Sequence, residues 1–224
     1  GHTGSCKALA PHPSRPWFAT GGTDRMLRLW DAPSRRQLSA ARLLERISSV
    51  AFHPAGHVLA VGGEAGDFLL IILRSPMVGG SAASAAMEVG VLRFSPDGEV
   101  LAAACGSCIN LYLEANGAYR RYGVCTGHST TVKSFDFSKD GSVLQSNDAS
   151  KELLFWEVST GRQISNRSRL RDIAMASWTC PVGWPTQGLT KAFAAHSSGG
   201  SLVAAGIAAV CRSNAGDVLA VSAL

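Results

Sequence analysis

An all-β fold, built as a run of four-stranded propeller blades, is predicted by three features of this 224-residue sequence. One motif recurs with a period near 42 residues, which is the length of a four-stranded blade. Each copy alternates apolar and polar residues as a half-buried strand does. Each copy then turns at a Pro/Asp/Gly cluster, where proline presets φ and glycine accepts φ > 0.

The copies follow one another along the chain. The first runs from Leu9 through Pro11-His12-Pro13 to Phe18-Ala19. The second is Val50 to Ala60, the third Leu92 to Ala102 and the fourth Phe135 to Leu144. Their anchors Pro11, Phe52, Phe94 and Phe137 are spaced by 41, 42 and 43 residues. A fifth copy, Val210 to Ala220, has its anchor Arg212 75 residues beyond Phe137, which is one repeat plus an insertion. In each unit a first strand, a Ser-Pro-Asp-Gly type of turn and a second strand lead to a third strand that often ends in Trp-Asp. The resulting blades span about 1–40, 47–78, 87–122 and 127–165, with an irregular last unit over 170–224. Five blades of a larger ring leave an open edge, so the chain is expected to be part of a longer propeller whose remaining blades are its first partner.

The first and fourth repeats carry a second pattern. Gly1-His2 and Gly127-His128 open them, and Leu29-Trp30-Asp31 and Phe155-Trp156-Glu157 close their third strands. The interval from His2 to Trp30 and that from His128 to Trp156 are both 28 residues. These residues resemble the WD-repeat family, in which a histidine, a strand serine or threonine, a turn aspartate and the tryptophan form a hydrogen-bonded network inside each blade. The resemblance implies that role for His2, Thr20, Asp24 and Trp30, and for His128, Ser146, Asp148 and Trp156. Asp24 precedes its tryptophan by six residues, whereas Asp148 precedes Trp156 by eight. A His/Ser/Asp trio invites a catalytic reading, but a trio repeated blade by blade is the pattern of a structural staple. The second and third repeats have Ile71-Ile72-Leu73 and Leu111-Tyr112-Leu113 in place of the tryptophan motif, and read as blades without the polar network. Gly79 to Ala86, all glycine, serine and alanine, reads as a mobile low-complexity loop between them.

Residues 170–189 depart from the plain repeat, with Trp178-Thr179-Cys180-Pro181-Val182-Gly183-Trp184-Pro185-Thr186-Gln187-Gly188 at their centre. In Trp178, Thr179, Cys180, Gly183, Trp184, Pro185 and Gly188 this run resembles the echinoderm microtubule-associated protein-like family. Leu144 to Asp148, Glu152 to Val158 and Thr160 to Ile164 resemble it too. The offset of Trp178 differs, and Lys191 to Gly206 is small and neutral where family members carry an acidic linker. Most of these side chains are expected in blade core. The resemblance implies a non-catalytic scaffold that binds tubulin or microtubules, in the cytoplasmic cytoskeleton, at a cilium or spindle. A generic WD-repeat scaffold for another complex, such as a ubiquitin ligase adaptor or a trafficking assembly, is the alternative; the Gly-Trp-Pro run separates the two.

Other classes find little support. The composition, 46% hydrophobic and 17% charged, fits a globular domain. The net charge of +5 suits an acidic partner, yet the basic residues are scattered, with short pairs such as Arg35-Arg36 and Arg120-Arg121, and read as ordinary solvated surface. No aromatic-interleaved basic stripe suggests nucleic acid. No apolar run reaches the length of a membrane span. Cys6, Cys105, Cys108, Cys125, Cys180 and Cys211 read as reduced, mostly buried cytosolic thiols, and the Cys105/Cys108 pair lacks the second pair that zinc needs. His12, His53, His57 and His196 show no ligand spacing, and no phosphate loop is present. No enzyme, metal or cofactor is therefore expected.

Overall fold

The computed structural model describes residues 1–73, 87–166, 170, 172–183, 210, 211 and 220, and the backbone of 78–84, 207–212 and 219–223. Every regular element described is a strand, and every sheet is antiparallel. The first sheet is β1 (Cys6–Pro11), β2 (Trp17–Gly22), β3 (Met26–Asp31) and β4 (Arg36–Arg42), in that order. The second is β5 (Ile47–Phe52), β6 (Val58–Gly63), β7 (Asp67–Ile72) and β8 (Val78–Ser84). The third is β9 (Val89–Phe94), β10 (Val100–Cys105), β11 (Cys108–Ala115) and β12 (Ala118–Thr126). The fourth has β13 (Val132–Phe137), β14 (Val143–Asp148) and β15 (Leu153–Glu157), and a hairpin of β16 (Ile207–Arg212) and β17 (Leu219–Ala223) ends the series. Neighbouring sheets meet along their first strands, β1 against β5, β5 against β9 and β9 against β13. This is the arrangement of propeller blades around an axis.

The turns are built from short polar side chains. In Ser95-Pro96-Asp97-Gly98 the Ser95 hydroxyl accepts from Val100 N at 2.9 Å, Gly98 N donates to Ser95 O at 2.9 Å, and Gly98 has φ 84°. Ser138 to Gly141 repeats the design, with Val143 N on Ser138 Oγ at 2.9 Å and Gly141 at φ 73°. A Cβ on Gly98 would also collide with the His53 ring. His53 thus packs on the next blade's turn, as His12 does on Gly56, whose carbonyl it meets at 3.0 Å through Nε2. These two histidines are joints between blades.

The core lies between the sheets. Strand β10 is buried along its whole length because both of its faces are covered. Leu101 and Ala103 pack with Phe68 and Leu70 of the second sheet, while Val100, Ala102 and Ala104 pack with Phe135, Phe137 and Leu144 of the fourth. Successive residues of a strand point to opposite faces, so one strand serves two cores. Ile47, Val50 and Leu59 pack likewise with Ala8, Ala19 and Leu27 between the first and second sheets.

The stretch after Met77 differs from its reading as a loop. Val78–Ser84 is the outer strand of the second sheet, pairing Ile72 with Val78 and Asp67 with Ser84. Ladder hydrogen bonds come from the backbone, so a run of glycine, serine and alanine satisfies them without any apolar pattern. Ala85 and Ala86 lie outside the described residues.

Candidate functional site

In the first blade, β2 carries Thr20, β3 carries Trp30, the intervening turn carries Asp24, and His2 precedes β1. The structure brings all four together. Trp30 Nε1 donates to Thr20 Oγ1 at 2.8 Å, Thr20 Oγ1 meets His2 Nε2 at 2.8 Å, and His2 Nδ1 lies 2.9 Å from both oxygens of Asp24. An indole can only donate. Thr20 therefore accepts from Trp30 and passes its own hydrogen to Nε2, which leaves the histidine proton on Nδ1 facing the carboxylate. Hydrogen bonds aligned head to tail in this way strengthen one another. Asp24 also accepts from Thr3 N and Met26 N. Burial opposes its charge, but the bonds from His2, Met26 and Thr3 outweigh that and hold its carboxyl below the usual range.

The fourth blade builds the same chain more deeply. Trp156 Nε1 donates to Ser146 Oγ at 2.7 Å, and Ser146 Oγ meets His128 Nε2 at 2.6 Å. Asp148 stands differently from Asp24. His128 Nδ1 is 3.7 Å from Asp148 and 3.6 Å from Glu152, beyond hydrogen-bond range. The Asp148 carboxylate instead takes Thr130 Oγ1 at 2.7 Å, Thr130 N at 3.2 Å, Ser150 Oγ at 2.7 Å and Glu152 N at 2.9 Å. The two-residue shift relative to Asp24 puts it at the end of β14, where it ties the turn together rather than the histidine. Burial works against its charge, yet the donors from Thr130, Ser150 and Glu152 hold it far below the usual carboxylate range. For His128, burial lowers the pKa and the two carboxylates only partly oppose it. The ligand atoms of His128, Asp148 and Glu152 lie within 4.8 Å of one another, but four donors already saturate the Asp148 oxygens that a cation would need.

A third cluster joins Thr179 and Cys180 of the Trp-Thr-Cys run to residues that no motif singled out. Asp136 on β13 is completely buried. It accepts Ser177 Oγ at 2.6 Å, Thr179 N at 2.7 Å, Thr179 Oγ1 at 3.1 Å and Cys180 N at 3.0 Å. Arg93 on β9 reaches over from the third blade, with Nη2 donating to Thr179 Oγ1 at 2.9 Å and Nε 3.9 Å from Asp136. Burial again opposes the charge, and Arg93 with the donors of Ser177, Thr179 and Cys180 keeps Asp136 ionised. Val182 N caps Asn147 Oδ1 at 2.8 Å, and the Trp178 ring lies where a Cβ on Gly183 would be. Trp178 and Met175 pack with Val210 of β16, so the Trp-Thr-Cys run links the fourth blade to the last hairpin. A signal for this cluster was present: Ala51, Arg93 and Asp136 each precede an anchor phenylalanine, and only the third and fourth repeats place opposite charges there. Trp184, Pro185, Gly188 and His196 lie outside the described residues.

Along the first strands runs a cavity of about 510 Å³, whose only charged lining residues among those described are Lys7 and Arg93. Cys105, Cys125 and Cys180 are buried, and Cys6 and Cys211 are exposed. Burial, reinforced by Asp136, pushes the Cys180 thiol well up.

Stacked antiparallel sheets of three to four strands, with a His–Ser/Thr–Trp chain in two of them, define a WD-type β-propeller. The family "Echinoderm microtubule-associated protein second beta-propeller" matches residues 6–223, and the chain belongs to that family. It is 36% identical over 193 residues to human echinoderm microtubule-associated protein-like 3, covering 84% of this chain and 22% of that protein. It is 33% identical over 225 residues to human echinoderm microtubule-associated protein-like 2, covering 98% and 33%. The 77 kDa echinoderm microtubule-associated protein of Lytechinus variegatus is 34% identical over 191 residues, covering 84% and 29%. The chain therefore spans a third or less of the length of these relatives.

Proposed function

We propose that this chain is a non-catalytic propeller scaffold whose parent protein binds tubulin or microtubules in the cytoplasmic cytoskeleton, at structures such as the cilium or spindle. The observation that carries the reading is the match of residues 6–223 to a family named for microtubule association. The chemistry of the polar clusters supports the non-catalytic part. The hydroxyls of Thr20 and Ser146 accept from an indole and meet a histidine, so each is spent inside its blade rather than presented to a substrate. Asp136 faces donors of its own chain. The cavity along the first strands offers no acid–base pair among the described residues, and general acid–base or nucleophilic chemistry needs such groups convergent on one point. The test is co-pelleting of the full-length parent protein with microtubules. Pelleting above background supports the reading, and background pelleting overturns it.

A further inference from the structure

We propose that the first blade carries a docking surface for an extended acidic polypeptide, laid along the outer edge of β4. The proposal rests on the microtubule reading only in taking that segment from the microtubule surface.

The charge of the chain is not spread evenly. Residues 1–46 contain eight Lys/Arg and three Asp/Glu, a surplus of five that equals the net charge of the whole protein. The remaining residues carry thirteen of each sign and sum to zero. The three acids of this segment have partners within the protein: Asp24 with His2, Thr3 and Met26, Asp31 with Ser34, and Glu45, after β4, with Ala65 N of the second blade. Of the eight cations, Arg46 alone lies within 4 Å of a carboxylate among the described residues, at 3.7 Å from Glu64. Lys7, Arg15, Arg25, Arg35, Arg36 and Arg42 are exposed.

The geometry orders these charges. Strand β4 is the last in its sheet, pairing with β3 on one side and with no other strand among the described residues. At one end of it lie Arg35 and Arg36, beside the turn that holds Arg15, since Ala32 N donates to Pro16 O. At the other lie Arg42 and Arg25, joined through Leu43 N and Arg25 O. The seven residues of β4 span about 20 Å. A free edge with cations at both ends suits strand addition by an extended chain, with main-chain bonds giving affinity and carboxylates meeting the arginines. Opposite charge also steers the encounter and makes it salt-sensitive. The exposed pair Arg120 and Arg121 on β12, the outer strand of the third blade, belongs to the charge-neutral remainder and serves as the control.

The experiment measures binding of a fluorescent Glu-rich peptide to the full-length protein by anisotropy across a salt series, beside microtubule co-pelleting. Arg35→Glu/Arg36→Glu/Arg42→Glu should weaken peptide binding by about tenfold or more, with an unchanged thermal melt. Arg120→Glu/Arg121→Glu should change it by less than about twofold, and raised salt should weaken the wild type. Equal loss in both variants, absence of peptide binding, or tighter binding of an oligothymidylate would overturn the proposal. Peptide binding without microtubule pelleting keeps the surface and discards the microtubule reading. Microtubule pelleting by a wild type that binds no peptide, unchanged in the β4 variant, discards the surface alone.

Discussion

Replacing Asp136 by alanine removes the acceptor on which the Trp-Thr-Cys run is hung. Four donors lose their partner: two hydroxyls, Ser177 and Thr179, and two backbone amides, Thr179 and Cys180. Hydrogen bonds to a charged group are worth about 1.5–3 kcal/mol each, and buried amides left unpaired carry the full desolvation cost. Arg93 also loses the charge it faces, although its partial exposure lets water take over some of that. Breaking a buried charged cluster by removing one member costs about 3–5 kcal/mol, and that is the expected loss for Asp136→Ala. Asp136→Asn keeps an acceptor of the same shape and should lose less. The assay is urea unfolding of the parent protein followed by tryptophan fluorescence, with Trp178 as a local reporter. Asp136→Ala/Arg93→Ala should be less destabilised than the sum of the single variants, because the two sites are coupled. The sign of the pH effect follows from the lowered pKa of Asp136. Its contribution is complete above the unfolded carboxylate value near about 4 and is lost as pH falls through the folded value, and Asp136→Asn should remove that acid-limb dependence. A loss under about 1 kcal/mol for Asp136→Ala would refute the view that this carboxylate anchors the run.

Two further predictions concern the blade networks. Ser146→Ala leaves both the Trp156 indole and His128 Nε2 without their partner in a fully buried site, so it should cost about 1–3 kcal/mol; Thr20→Ala in the half-buried first blade should cost less, and urea titration of both variants decides. His128 has a lowered pKa in the fold, so the unfolded chain binds its proton first, and stability should fall as pH drops below about 6.5; a His128→Gln protein whose melting temperature keeps the same dependence between pH 7 and 5 would refute this.

The fold was legible because its determinants are local. Turn residues at Pro96-Asp97-Gly98 and Asp140-Gly141, and short apolar runs such as Val100 to Cys105, need only a few neighbours in sequence to be read. The matched 28-residue intervals pointed to His2 and Trp30, and to His128 and Trp156, because a network built twice on the same blade plan repeats in spacing too. Asp148 was harder, since a shift of two residues in a turn moves a carboxylate from a histidine to Thr130 and Ser150 without changing composition. Asp136 was missed because its partners, Arg93 and Ser177 to Cys180, are brought to it by blade packing from 43 residues before and 41 to 44 after. Strand β8 was missed for the opposite reason: its glycines, serines and alanines carry no pattern, and pairing with β7 alone specifies it. The basic surplus of the first blade escaped a reading by adjacent pairs because it is assembled from turns at both ends of one sheet.

The most direct test of the account is co-sedimentation of the full-length parent protein with stabilised microtubules across a salt series, with intact and with enzymatically removed acidic tails. Salt-sensitive pelleting that requires the tails is the predicted result. Pelleting at background, with and without tails and at every salt concentration, would contradict it and leave a propeller scaffold whose partner lies elsewhere.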